Sequence, residues 1–295
     1  MVGRYYKPAS LEEALAILDD SRGKARVIAG GTDLVLQLMH REIVSDAVVD
    51  ISNLRQLRFI SADETKIRVG ALSTHTDLAE SSLIRKKASL LSDAAGSIGS
   101  LQIRNVGTVG GNLVSAQPAA DTAVALLALD AEVKVISVSG EKQVPLAGLY
   151  RPGGGSSLDP CREILTEITF MPLEKGKAAG VFGRLARRKA VALPVFNTAV
   201  TIRSGADNSC LSDVRIAMGP VARVPFRARE AENFLRGSSP GRSIFQQAAG
   251  IAADEAVPRD SQFRGSAVYR KKIARVMVFR ALSRAWEIIG NMGAE

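Results

Sequence analysis

Two diglycine segments of similar design constrain the fold of this chain more than any other feature of its sequence. Each has an apolar residue, Gly-Gly, a short polar stretch and then leucine, and the glycine pairs begin at positions 30 and 110. The first is typical of a strand that turns into a helix, and the second repeats the plan. The residues are Val27, Ile28, Ala29, Gly30, Gly31, Thr32, Asp33 and Leu34, followed by Thr108, Val109, Gly110, Gly111, Asn112 and Leu113.

These two segments predict a phosphate site. A glycine has no side chain, so a ligand can approach its backbone closely. Consecutive amide N–H groups in such a turn can form a concave anion site, and a following helix start adds free donors. Thr32 and Asn112 can add a hydroxyl or an amide contact. One such turn is often purely structural, but two favour a single ligand with two phosphates, such as a dinucleotide.

Other motifs that carry chemistry are missing from the sequence. There is neither the G-x-G-x-x-G of a Rossmann domain nor the G-x-x-x-x-G-K-[ST] of a P-loop. No Ser/His/Asp set or carboxylate pair stands out, so we expect no catalytic side chain. Cys161 and Cys210 cannot supply the four thiolates of an ordinary iron–sulfur cluster. His40 and His75 are predicted to be surface or capping histidines, which leaves no metal site.

Composition limits the remaining classes of function. The chain has 295 residues, enough for two domains, and a net charge of +9 that suits nucleic acid, an anionic cofactor or an acidic partner. Aromatic residues make up 5 %, which is few for stacking single-stranded bases. Two basic clusters, at 184–189 and 270–272, are predicted to be solvated. Without a signal pattern or a long apolar run, we expect a cytoplasmic protein with no membrane span.

Hydrophobic periodicity divides the chain into α+β units. Ser10 and Glu13 form a predicted capping box before the first helix. A first unit ends near residue 55, a second extends to 174, and a linker is predicted at 173–180. Strands followed by helices then suggest a separate α+β domain at 175–295. Strands are predicted at 24–29, 47–51, 58–60, 66–69, 132–138, 181–186, 196–202 and 214–218, and helices at 11–18, 34–39, around 77, and at 90–95, 121–129 and 268–289.

Two charged residues near the second segment have open roles. Asp121 precedes the apolar helix DTAVALLAL, so it can be the helix N-cap, a hydrogen-bond acceptor for a ribose hydroxyl, or both. Arg104 could neutralise a phosphate or pair with a carboxylate. The sequence alone favours neither role for either residue.

Three stretches in this order and spacing resemble the FAD-binding subunits of molybdenum hydroxylases. They are AGGTDL at 29–34, IRNVGTVGGNL at 103–113 and PAAD at 118–121. The family includes the flavin subunits of xanthine, nicotinate and carbon monoxide dehydrogenases, and the likeness spans almost the whole chain. It implies an α+β fold in which a two-part FAD-binding domain of the vanillyl-alcohol-oxidase (PCMH) type at 1–174 precedes a smaller α+β C-terminal domain, of the CO dehydrogenase flavoprotein type, at 175–295.

The resemblance also implies roles for particular residues. Val27 to Leu34 and Thr108 to Asn112 would line the FAD pyrophosphate. Asp121 matches an acidic position near the cofactor, and Ile98 matches an apolar contact to it. Leu193 lies in the segment that would approach the isoalloxazine ring.

The implied partners are a small subunit with [2Fe–2S] clusters and a large molybdopterin subunit. Electrons would pass from the clusters through FAD to NAD⁺ or another acceptor. With two cysteines, the chain lacks the cluster-binding insert of hydroxybenzoyl-CoA reductases. Two rival functions remain: a stand-alone flavin oxidoreductase with its own substrate pocket, and a non-enzymatic nucleotide- or nucleic-acid-binding protein. The sequence leaves open the substrate, the final acceptor and the stoichiometry of the complex.

Overall fold

The computed structural model describes residues 3–188, 191–206 and 208–292, with side chains as far as 290. Within these ranges, three β-sheets are packed against helices, as the predicted α+β fold requires. The strands are β1 (Arg4–Tyr6), β2 (Ala25–Ile28), β3 (Ala47–Asp50), β4 (Ile60–Ala62), β5 (Ile67–Gly70), β6 (Glu132–Ser137), β7 (Gly140–Pro145), β8 (Ile164–Phe170), β9 (Ala178–Ala186), β10 (Pro194–Ser204), β11 (Leu211–Gly219) and β12 (Phe226–Arg227). The α-helices are α1 (Leu11–Asp20), α2 (Leu34–Met39), α3 (His75–Glu80), α4 (Ser82–Lys87), α5 (Ser89–Gly96), α6 (Leu101–Val106), α7 (Val109–Ser115), α8 (Asp121–Ala128), α9 (Arg229–Leu235), α10 (Arg242–Glu255) and α11 (Ala267–Met292).

The N-terminal unit is a small parallel sheet in the order β1-β3-β2, with α1 packed on it. Helix α1 starts where the sequence predicts, because the Ser10 hydroxyl accepts a hydrogen bond from the Glu13 amide at 3.1 Å. In a capping box the Glu13 carboxylate would accept from the Ser10 amide. Here it accepts from the amide of the preceding residue, Ala9, at 2.7 Å. Ala14 and Leu18 then bury the apolar face of the helix. Strand β2 ends at the first diglycine segment, which the fold thereby holds at a sheet edge.

The second unit is an antiparallel sheet in the order β4-β5-β8-β6-β7, covered by helices. All eight residues of α8 are buried, as its uniformly apolar sequence predicts. The strand predicted at 58–60 starts only at Ile60, after a short 3₁₀ turn at Arg55–Leu57. Strands β7 and β8 lack a clear predicted counterpart. Strand β8 is buried on both faces, so it shows no polar alternation that would mark it.

The C-terminal domain is an antiparallel sheet in the order β12-β11-β10-β9, with α11 against β9 and β10, α9 against β11, and α10 packed on these two helices. Trp286 on α11 packs against the core of this domain. The buried helix α8 of the preceding unit also packs against β10 and β11, so the two domains share a continuous contact. Among the described residues, no helix combines the length and the apolarity that a bilayer span demands.

Two expectations about loops and charges are wrong. The linker predicted at 173–180 is only partly a loop, because Ala178–Gly180 are buried and form the first residues of β9. The basic clusters are not wholly solvated: Arg184 and Arg270 have largely buried side chains. Lys189, from the first cluster, lies outside the described residues. Each buried arginine occupies a site discussed below.

Candidate cofactor site

The fold brings the two diglycine segments together. A Cβ atom added at Gly30 would lie 2.0 Å from the carbonyl oxygen of Val106 and 3.1 Å from the Cα of Gly107. The first turn therefore packs directly on the backbone that leads into the second segment. The Gly107 carbonyl in turn accepts a hydrogen bond from the His75 amide at 3.1 Å, which fixes this backbone to the start of α3. One ligand can touch both segments, as the doubled motif predicts.

A cavity of about 400 Å³ opens between the two segments, a size within the usual range for small-molecule sites. Thirteen of the sixteen residues predicted to bind the cofactor line it. They are Val27, Ile28, Ala29, Gly30, Gly31, Thr32, Asp33, Leu34, Ile98, Thr108, Gly110, Gly111 and Asn112. The other three, Val109, Asp121 and Leu193, do not, although their roles toward a bound cofactor stay predictions.

The first segment supplies unpaired amide donors. Within the described part of the chain, the backbone N–H groups of Gly30, Gly31, Thr32 and Asp33 have no acceptor. Gly31 has a φ of +71°, in the left-handed region that glycine adopts without strain. Asp33 precedes α2 but its side chain makes no capping hydrogen bond to the helix. Four successive donors at one turn suit the oxygens of a phosphate group.

The second segment does not form a turn with free amides like the first. The prediction that it forms a matching anion-binding turn is therefore wrong. Its Gly-Gly pair lies inside the first turn of α7, after the N-cap residue Thr108, and all four amides that follow Thr108 are already used. The second segment therefore offers surface and side chains rather than free backbone donors. The amides donate from Val109 to the Ser73 carbonyl (2.9 Å), from Gly110 to the Ala71 carbonyl (2.9 Å), from Gly111 to the Thr108 hydroxyl (3.1 Å) and from Asn112 to the Thr108 carbonyl (3.0 Å).

The two glycines of the second segment serve different purposes. A Cβ atom at Gly110 would lie 2.7 Å from the Cβ of Ala71 and 2.8 Å from its carbonyl oxygen, so this glycine allows α7 to pack against β5 and the turn after it. A Cβ atom at Gly111 would meet only the Thr108 hydroxyl, at 3.0 Å. Gly111 is exposed and lines the cavity, so it is the position where a ligand can approach the helix closely.

His75 also lines the cavity, and its predicted place on the surface is wrong. Its side chain is 3 % exposed, and its Nδ1 atom has no hydrogen-bond partner among the described residues. Burial, with a smaller contribution from the positive charge of Arg104, lowers the pKa of His75 to about 4, so the ring is neutral near pH 7. An unpaired nitrogen beside a cavity suits a polar ligand. The sequence signal for it is the helix start that Thr74 caps, directly before His75.

We expect His75 to make the chain acid-sensitive. Its folded pKa lies below the ordinary histidine value of 6.5, so between about pH 6.5 and 4 the unfolded chain binds more protons, and stability falls as the pH falls. The full penalty is roughly 3 kcal/mol. Urea unfolding near pH 7 and pH 5 measures it. His75→Gln should lose part of this slope, whereas the exposed control His40→Gln should keep it; equal slopes in both variants would contradict the assignment.

The side chains of Arg104 and Asn112 each form a hydrogen bond to a residue nearby in the sequence. The Arg104 guanidinium donates to the Ile98 carbonyl at 2.9 Å, and no carboxylate pairs with it in the described part of the chain. It thereby fixes Ile98, which lines the cavity. The Asn112 side-chain oxygen accepts from the Thr122 hydroxyl at 2.7 Å, which leaves the Asn112 amide N–H groups as donors.

The sequence did not predict a further wall of the cavity, which adjoins the first diglycine segment. This wall comes from 158–165, where the sequence predicts neither a strand nor a helix, and the Val27 amide donates to the Pro160 carbonyl at 3.2 Å. No local pattern marks these residues, because their place depends on long-range strand pairing. Gln37 also lines the cavity, one turn after Asp33 on α2.

Asp121 lies at the domain junction. The N-cap of α8 is Ala120, with no side-chain capping bond, so of the two roles that the sequence leaves open for Asp121 the structure does not show N-capping. Its carboxylate accepts from Arg184 Nε at 3.1 Å and from Asn197 Nδ2 at 2.6 Å, across to β9 and β10. Burial raises the pKa of Asp121, and the Arg184 charge opposes that rise. Leu193 is the residue directly before β10, and it is 67 % exposed.

Comparison with known proteins supports the two-domain reading. The chain matches the family model "FAD binding domain in molybdopterin dehydrogenase" over residues 1–173 and "CO dehydrogenase flavoprotein C-terminal domain" over 182–285. The xanthine dehydrogenase FAD-binding subunit of Escherichia coli O157:H7 is 32 % identical over 288 residues, 97 % of each chain. The nicotinate dehydrogenase FAD-subunit of Eubacterium barkeri is 32 % identical over 271 residues, 91 % of this chain and 90 % of that one.

The fold agrees with these sequence matches. A solved carbon monoxide dehydrogenase from Hydrogenophaga pseudoflava superposes with a TM-score of 0.91 at 29 % identity, covering 98 % of each chain. The family resemblance drawn from the diglycine segments is therefore confirmed, as is the α+β architecture. The chain belongs to the family of FAD-binding subunits of molybdopterin dehydrogenases, and it is a flavoprotein component of an oxidoreductase of the xanthine dehydrogenase type.

Proposed function

We propose that this chain passes electrons from the [2Fe–2S] clusters of a small partner subunit, through FAD, to NAD⁺ or another acceptor. The substrate would be oxidised at the molybdopterin of a large partner subunit. The observation that carries the proposal is the cavity between the diglycine segments, which is lined both by the four residues with unpaired amides in the first segment and by the exposed Gly111 of the second. The family match identifies the cofactor class that such a site serves.

The residues present fit FAD. The amides of Gly30 to Asp33 would bind the pyrophosphate, and Gly111 lets it approach α7. The Asn112 amide and the neutral His75 ring would offer further polar contacts. When bound, FAD supplies hydride chemistry and exchanges electrons with other centres, while the protein binds, orients and tunes it.

Exposed apolar side chains beside the cavity support the existence of a partner. Helix α2 exposes Leu36 and Met39, and α6, whose end packs against Gly30, exposes Leu101 and Val106. Apolar surface of this kind commonly marks a protein–protein contact. The carbon monoxide dehydrogenase relative of Hydrogenophaga pseudoflava is described as a medium chain, 29 % identical over 282 residues, which agrees with a role as one component of a larger enzyme.

The cofactor assignment predicts that Gly111→Val lowers FAD affinity by at least about tenfold, because the added side chain enters the space that the ligand needs. The measurement is flavin absorbance per chain after gel filtration, together with a titration of the apoprotein with FAD. Gly148→Val is the matched control, since a Cβ atom there meets nothing within 4 Å. Full flavin absorbance in Gly111→Val would refute the placement of the cofactor at this helix.

The electron-transfer role is tested with the assembled complex. We expect the oxidisable substrate to bleach the flavin absorbance only when the small and large partner chains are present. NADH should bleach it in this chain alone if a pyridine nucleotide is the acceptor. The stand-alone rival requires the opposite pattern: turnover of an organic substrate by this chain without partners would support that rival and overturn the proposal.

A further inference from the structure

A second pocket, of about 260 Å³, lies where the C-terminal domain meets the loop before α8. Pro118 of that loop forms one side. The other lining residues belong to the C-terminal domain and include three arginines: Arg259, Arg264 and Arg270. Neither diglycine segment reaches this pocket, which distinguishes it from the cofactor cavity.

Arg270 is buried at this site with an unsatisfied donor. Its side chain is 3 % exposed, and its terminal nitrogens donate to the carbonyls of Pro220 and Arg259. Its Nε atom is buried and has no acceptor in the described ranges. A buried N–H group of a charged side chain without an acceptor is costly, so Arg270 is held at this site with one hydrogen bond unmade.

The three arginines of the pocket outnumber the one carboxylate among its described lining residues. Neither the Arg259 nor the Arg264 side chain forms an ion pair with any described residue. The one lining carboxylate, Asp260, accepts a hydrogen bond from the Ala267 amide at 2.6 Å, at the start of α11. Burial lowers the pKa of Arg264 and Arg270, and for Arg270 the nearby charges of the other two arginines add to that effect.

We propose that the arginine pocket binds a phosphate group. A tetrahedral oxyanion would accept from the Arg264 guanidinium and from Arg259, and it would offset the positive charge that the buried Arg270 adds to the pocket. Arginine forks match phosphate oxygens in geometry as well as in charge. The phosphate could be free in solution or belong to a nucleotide.

The arginine pocket lies close to the cofactor cavity, so the test includes a nucleotide as a source of the phosphate group. Ser115 lines that cavity and Pro118 lines the arginine pocket. Three residues span at most roughly 11 Å, and Ala116 between them has a left-handed φ of 50°, which shortens the path. A pyridine dinucleotide whose nicotinamide meets the flavin could therefore place a phosphate here. This nucleotide reading rests on the proposed function, whereas the phosphate site itself does not.

The test uses the full chain loaded with FAD. Inorganic phosphate is titrated by calorimetry at constant ionic strength, into the parent chain and into Arg264→Gln. We expect the dissociation constant to rise at least about tenfold in the variant, as the loss of a charge-assisted hydrogen bond predicts. Arg259→Gln, on the exposed side of the pocket, should also weaken binding. Arg280→Gln, an equal charge change on the exposed face of α11, should not.

A second arm repeats the titration with NAD⁺ and the oxidised flavoprotein. Competition between NAD⁺ and inorganic phosphate would assign the site to the acceptor; phosphate binding without competition would assign it to free phosphate. No phosphate binding by the parent chain, or equal binding by Arg264→Gln and Arg280→Gln, would overturn the proposal. Flavin content is measured in each sample, so a failure of the cofactor assignment would be visible separately.

Discussion

Replacing Gly30 with alanine should leave a chain that no longer retains FAD. The new Cβ atom would lie 2.0 Å from the Val106 carbonyl oxygen and 2.8 Å from its carbon, which are backbone atoms that cannot rotate away. The two segments must therefore separate by an ångström or more. Overpacking alone costs about 1–3 kcal/mol. The shift also moves the unpaired amides of the first segment away from the position that the pyrophosphate would occupy.

The expected size of the effect follows from those donors. A hydrogen bond to a charged group contributes about 1.5–3 kcal/mol, so the loss of two would weaken FAD binding by roughly a hundredfold or more. Flavin absorbance per chain and the dissociation constant of FAD measure this loss. Gly148→Ala is the control, because a Cβ atom there meets nothing within 4 Å.

Loss of flavin must be separated from loss of the fold. We expect Gly30→Ala to keep its circular-dichroism spectrum, with a lower melting temperature, because the core of the C-terminal domain contains no residue that lines the cavity. A Gly30→Ala chain that binds FAD as tightly as the parent would show that the contact between the segments is not needed for the site.

Local signals in the sequence were reliable where local chemistry decides the structure. The hydroxyl of Ser10 starts α1, and the uniformly apolar α8 is buried, because capping and hydrophobic burial act through near neighbours and composition. The likeness of the two diglycine segments also predicted correctly that they meet. That inference needed no knowledge of the path of the chain, only the assumption of a common ligand.

The roles that the sequence did not predict depend on packing between residues that lie far apart in the chain. By sequence, Gly110 belongs to a second phosphate-binding turn. In the structure its amide donates to the Ala71 carbonyl, and the absence of a side chain lets Ala71 pack directly against it. His75 looks like a surface histidine until α3 is placed against the backbone of Gly107. Asp121 looks like an N-cap, but its partners are 63 and 76 residues further along the chain. In each case a contact distant in sequence overrode the local pattern.

We expect Arg184→Met to destabilise the chain by about 3–5 kcal/mol, the usual result of removing one partner from a buried ion pair. The side chains of Arg184 and Asp121 are 13 % and 4 % exposed, so the carboxylate would remain buried with the Asn197 amide as its side-chain partner across the junction. Chemical denaturation near pH 7 measures the loss. Arg280→Met, on the exposed face of α11, is the control for charge and shape.

The pH dependence distinguishes an unpaired charge from simple loss of packing. Burial already raises the pKa of Asp121, and removing Arg184 raises it further. The folded variant then holds a proton that the unfolded chain releases, so its stability falls as the pH rises through that window, and the deficit shrinks from pH 7 toward about pH 5. Adding Asp121→Asn should recover most of the lost stability, since an amide side chain carries no charge. If the deficit were independent of pH and the double variant no more stable than Arg184→Met, packing of the arginine stem, rather than its charge, would hold the two domains together.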